Sequence, residues 1–86
     1  MPVTVVSKAR FLREWVRARM IWKGLDPLLV GMHTVLTAIT ERFPVTPTLV
    51  GALAEKLEHS GHPDMGVDMR RLQTLISEHP HWRDAE

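Results

Sequence analysis

The sequence contains no cysteine, which excludes a disulfide framework and a thiolate metal site as supports for a small core. Packing alone must hold the chain together. The same absence suits a reducing compartment, and the expected localisation is cytoplasmic. Long apolar runs are missing as well. The longest uncharged stretch, 27–40, falls short of the roughly 20 residues that a membrane-spanning helix requires, and Gly31 and His33 interrupt it. No membrane span is expected. Residues 1–6 are apolar but few, with no basic segment ahead of them, so they do not read as a signal peptide.

Catalytic signatures are equally scarce. There is no thiol nucleophile, no Gly-x-Ser-x-Gly elbow, no His-Glu-x-x-His pair and no phosphate-cradling glycine loop. Gly24, Gly31, Gly51, Gly61 and Gly66 are scattered where turns or close helix contacts want them. Glu55 and Glu58 share a helix face, an ordinary arrangement for solvated glutamates. His59, His62, His79 and His81 lie late in the chain near Asp64, and imidazoles with a carboxylate are one recipe for zinc. Their spacing fits no metal motif. Because a chain this short seldom encloses a pocket of the usual size, neither an enzyme, a cofactor nor a metal site is expected.

What is present points to a fold built from helices. With 86 residues, 44% of them hydrophobic, and no low-complexity tract, the chain has material for one core and none for a second. The expectation is an all-α, compact single-domain bundle spanning 1–86. Four places repeat one helix-start pattern, in which an apolar residue, a capping residue and an apolar residue four positions after the cap follow in order. They are Val6-Ser7 with Phe11, Leu25-Asp26 with Val30, Val45-Thr46 with Val50, and Val67-Asp68 with Leu72. Pro27 and Pro47 stand directly after two of the caps, where a missing N–H is harmless. Gly24, Pro44, Gly61 and Pro80 supply the stops. These signals predict helices over 8–23, 27–42, 47–59 and 69–78, a long link over 60–67, and a short extended N-terminal segment at Val3 to Val6.

Periodicity assigns the faces. In the second helix Leu28, Leu29, Met32, Val35, Leu36, Ile39 and Phe43 form one broad inward face, with His33, Thr37, Thr40 and Glu41 opposite. The third buries Leu49, Val50, Leu53 and Leu57, and the fourth Met69, Leu72, Leu75 and Ile76. In the first, Phe11, Trp15, Ala18 and Trp22 share a face that is expected to turn inward, with Trp22 at the helix end equally suited to contact a partner. Arg10, Arg13 and Arg17 lie opposite, and Lys8, Arg19 and Lys23 form a second basic edge.

Charge is the strongest asymmetry. The first 23 residues hold six basic side chains and one acidic one, and the remainder five basic and nine acidic, so a net charge of +1 conceals a dipole. A basic stripe suits phosphate oxygens; it also suits carboxylates of the same chain, such as Glu55, Glu58 or Asp64, or simple solvation. A helix-turn-helix is not supported, because the third helix offers no arginine, asparagine or glutamine near its start to read base edges. The expected function is a non-catalytic binding or regulatory module that docks on a larger protein or nucleoprotein assembly, with possible non-specific nucleic-acid contact. Lys8, Arg10, Arg13, Arg17, Arg19 and Lys23 would supply the contacts, and Trp22 or Trp82 an apolar anchor. The alternative is a protein-only adaptor or inhibitor, in the style of a small phage or plasmid regulator, without nucleic acid and able to form a homodimer through Val3 to Val6 or an exposed apolar helix face.

Overall fold

Three of the expected caps close as the sequence implies. Ser7 Oγ accepts the Arg10 N–H at 3.2 Å, Asp26 Oδ1 accepts the Leu28 N–H at 3.0 Å and Thr46 Oγ1 accepts the Leu49 N–H at 3.2 Å. In the computed structural model, which describes residues 6–85, these caps open α1 (Lys8–Trp22), α2 (Pro27–Thr40) and α3 (Pro47–His59). A fourth helix, α4 (Pro63–Glu78), completes an all-α chain with no strand among the described residues. Apart from Val6, the extended segment expected at Val3 to Val6 lies outside the described residues.

The start of α4 departs from the sequence reading. The helix opens at Pro63 rather than Met69, and Asp68 is not a cap but an interior residue whose carboxylate lies 3.5 Å from the Arg71 guanidinium. Gly61, at φ +85°, reverses the chain directly after α3, and Pro63 then occupies the first helical turn. The long link shrinks to a few residues. Gly66, which marks a loop by propensity, is helical because it faces α3: a Cβ there would lie 3.2 Å from the Ala54 carbonyl oxygen and 2.5 Å from Glu58 Cγ. Close helix approach outweighs its poor helix propensity.

The described residues divide into two compact units, one formed by 6–44 together with 83–85, the other by Val45–Trp82. Each is a pair of packed helices. In the second unit α3 buries Val50, Gly51, Ala54 and Leu57, and α4 buries Met65, Gly66, Met69, Leu72 and Ile76. Leu75, expected inside, is exposed. Gly51 adjoins Gln73, whose Nε2 donates to the Pro47 carbonyl at 2.9 Å, and Arg70 Nη2 reaches Glu58 Oε1 at 2.9 Å.

In the first unit α1 contributes Ala9, Leu12 and Val16, and α2 contributes Leu29, Met32, Leu36 and Thr40. The broad inward face expected of α2 is therefore a single ridge. Thr40, expected outside, is buried, while Val35 and Phe43, expected inside, are exposed. Within its unit α2 has one helix to pack against, and one helix covers one ridge. Burial of Thr40 is satisfied because its hydroxyl donates to the Leu36 carbonyl at 2.6 Å and accepts from Arg13 Nη1 at 3.0 Å.

The first turn of α1 is closed from the far end of the sequence. Lys8 N–H donates to the Arg83 carbonyl at 2.9 Å and Ala9 N–H to that of Asp84 at 3.0 Å. The Lys8 ammonium, its side chain 10% exposed, lies 3.2 Å from the Asp84 carboxylate.

The two glycine environments give opposite expectations for one substitution. Gly66→Ala should lower stability by about 1–2 kcal/mol, since the α3 backbone must yield. Gly31→Ala, with nothing within 4 Å of the added carbon, should raise it by about 0.5–1 kcal/mol through helix propensity. Urea unfolding of both variants checks this; equal signs would contradict it.

Candidate docking surface

Two apolar rows run along α1, and the fold uses one of them. Ala9, Leu12 and Val16 are buried, with Met20 half-buried behind them. The aromatic row expected to face inward stands on the outside instead: Phe11 is 36% exposed, Trp22 is 76% exposed, Ala18 is exposed and Trp15 is half-buried. The sequence pattern does not discriminate between the rows because both repeat at helical spacing. Rotation is decided by the first turn, where Ser7, Lys8 and Ala9 are buried beneath the returning C-terminal segment.

The six basic residues expected to form the contact surface separate into distinct environments. Lys8 is withdrawn into its pair with Asp84. Arg13 is half-buried and donates to Thr40. Arg10 is exposed and pairs with Glu14 at 3.2 Å, one turn along. Arg17 is exposed and makes no ion pair or hydrogen bond with another described residue. Arg19 holds its guanidinium 4.1 Å from the Trp15 ring centre, and Lys23 holds its ammonium 5.1 Å from that of Trp22. Such cation–π contacts are worth about 0.5–1 kcal/mol at exposed sites. Arg19 and Lys23 thus interleave with the aromatic row.

At the end of α1 the apolar exposure grows. Gly24 N–H donates to the Ile21 carbonyl at 3.1 Å and Leu25 N–H to that of Met20 at 2.9 Å, the paired bonds of a Schellman cap. Gly24 takes the left-handed conformation at φ +65° without penalty; Leu25 follows at φ +62°, where a side chain with a Cβ loses about 1–2 kcal/mol. That strain presents Leu25 to solvent at 60% exposure, beside Ile21 at 56%. The sequence pattern marks Leu25 only as the apolar residue before the Asp26 cap and does not mark Ile21, although three apolar side chains within five positions of a turn are a readable signal.

The remaining candidates fall elsewhere. Trp82 is half-buried in the second unit, its N–H donating to the His79 carbonyl at 3.1 Å. His59, His62, His79 and His81 do not converge, and no group of three or more His, Asp or Glu side chains among the described residues is placed to hold a metal ion. An open depression of about 400 Å³ on the α3–α4 unit is lined by Pro47, Gln73, Thr74, Ser77 and Glu78. It brings a carboxylate near two hydroxyls but no imidazole, and its amide is already bonded to Pro47.

No helix among the described residues is long and apolar enough to cross a membrane. No known protein family matches the chain, and no curated protein and no solved structure gives a match.

The two rows of α1 differ in what they hold together, and truncation separates them. Leu12→Ala should cost about 2–5 kcal/mol of stability. Trp22→Ala should change it by no more than about 1 kcal/mol, the worth of its contact with Lys23. Chemical unfolding of the two variants decides; a large loss at Trp22 would return the indole to a structural role.

Proposed function

We propose that the protein is a non-catalytic helical binding module that docks on a negatively charged surface of a larger assembly through the outer face of α1. One observation carries the reading: with Ala9, Leu12 and Val16 buried, the helix still exposes a second apolar row, and Arg19 and Lys23 lie against its indoles. Aromatic and arginine side chains dominate the energetics of interfaces. Arg17, Arg19 and Lys23, with Arg10 beside its glutamate, supply the attraction, and Trp22 the apolar anchor. Lys8 and Arg13 keep α1 in place and contribute to docking only through that support.

A second reading, the protein-only homo-oligomer, draws on α2. This helix carries no charged residue, and Val30, Gly31, Val35 and Ala38 are exposed on it. An uncharged face of small and apolar residues suits helix-to-helix association. Sedimentation of the purified chain distinguishes the readings by mass.

The principal test uses immobilised heparin as a generic polyanion. Arg17→Glu combined with Lys23→Glu should lower the salt concentration needed for elution well beyond the shift caused by Arg70→Glu with Arg71→Glu, which alters charge equally on α4. Helicity by circular dichroism should stay constant. Equal shifts in the two double variants would remove α1 from the contact.

A further inference from the structure

We infer that the returning segment, residues 83–85, is an autoinhibitory strap: it withholds Lys8 from the cationic edge of α1, and a polyanion docking on that edge lifts it. The inference rests on the reading of α1 as the docking surface and adds the regulation of that surface. Lys8 belongs to the edge that carries Arg19 and Lys23. At 3.6 residues per turn the three fall within about 60° of one another around the helix axis, beside the aromatic row. Lys23 is exposed and Arg19 half-buried, whereas the Lys8 side chain is only 10% exposed. The edge therefore holds one cation in reserve.

What covers Lys8 is fastened by polar contacts within one compact unit. The Lys8 and Ala9 N–H groups donate to the Arg83 and Asp84 carbonyls, and the Lys8 ammonium meets the Asp84 carboxylate. The strap brings no side chain into the apolar core: Arg83 and Ala85 are exposed, and the Asp84 side chain is 43% exposed. A segment fastened in this way belongs to the low end of the range of local opening free energies. Lifting it breaks polar contacts at the first turn of α1 without emptying the core.

The contact that fastens the strap is also the one a polyanion replaces. A phosphate or sulfate oxygen offers the Lys8 ammonium the same charge-assisted hydrogen bond as Asp84 does, and a chain of such groups meets Arg19 and Lys23 as well. Asp84 is the resident competitor, held close by its tether. While the strap is closed, Lys8 only supports α1, and the Asp84 carboxylate beside this edge repels an incoming anion. Once the strap is lifted, that carboxylate leaves and Lys8 joins the edge. Because the open form binds a polyanion better, docking and lifting promote each other by the same factor.

The experiment follows amide exchange in the full chain with and without a saturating heparin oligosaccharide longer than about 22 Å, the rise from Lys8 to Lys23. Bound heparin should speed exchange at Lys8 and Ala9 about fivefold or more and leave Val16 and Leu36, in the same unit, unchanged. In a second arm, Asp84→Asn should raise the salt concentration that elutes the chain from immobilised heparin by more than Asp64→Asn does. The latter removes the same charge from the first turn of α4. Adding Lys8→Gln to Asp84→Asn should abolish the excess.

Exchange at Lys8 and Ala9 that stays constant or slows when heparin binds would overturn the inference, as would equal elution of the Asp84→Asn and Asp64→Asn variants. Either result leaves α1 as the docking surface, provided that Arg17→Glu with Lys23→Glu still weakens binding. Heparin binding indifferent to that double substitution, or absent altogether, would remove the docking surface and the inference together. The exchange arm uses the unaltered chain, so its outcome does not depend on how any variant folds.

Discussion

The first turn of α1 poses an electrostatic problem that the end of the chain solves. A helix N-terminus exposes unpaired N–H groups and carries partial positive charge, so acidic residues are favoured there. This helix has none in its first turn and begins with Lys8, close to Arg10. The Arg83 and Asp84 carbonyls accept the first two amides, Ser7 Oγ accepts the third, and the Asp84 carboxylate faces the Lys8 ammonium. A single returning segment thereby satisfies the donors, offsets the dipole and neutralises a nine-tenths-buried cation. Because breaking one side of such a pair leaves a buried charge alone, the arrangement fixes which side of α1 turns inward.

From that rotation the rest of the first unit follows. With Lys8 and Ala9 held beneath the C-terminal segment, Leu12 and Val16 meet α2, and Phe11, Ala18 and Trp22 are carried outside. Only one ridge of α2 is covered, which leaves Val30 and Val35 exposed. A Leu25 backbone strained into the left-handed region then adds a further apolar side chain at the turn. Strain of this kind persists where the surrounding structure over-determines it, and it clusters at functional positions.

Local grammar was readable where the physics is local. Ser7, Asp26 and Thr46 cap because each precedes its helix with an oxygen in reach, and Pro27 and Pro47 reinforce two of those starts. The fourth start was misread because Val67-Asp68 carries the same pattern inside a helix whose Gly66 is retained for contact with Ala54 and Glu58, a tertiary reason invisible to propensity. The rotation of α1 was illegible for a similar cause. Its determinant lies 76 positions away, between Lys8 and Asp84, and periodicity describes a row without saying what lies against it. Basic character was legible as a total, but its division into buried, paired, stacked and outward-facing cations required the neighbours of each.

The most direct measurement is amide hydrogen exchange at Lys8 and Ala9 in the full chain and in a chain ending at Trp82. If the returning segment closes the first turn of α1, both amides exchange slowly in the full chain and lose most of their protection when residues 83–86 are removed. Undiminished protection in the shortened chain would contradict the account, because α1 would then be held in place by something other than its closure from the C-terminal end.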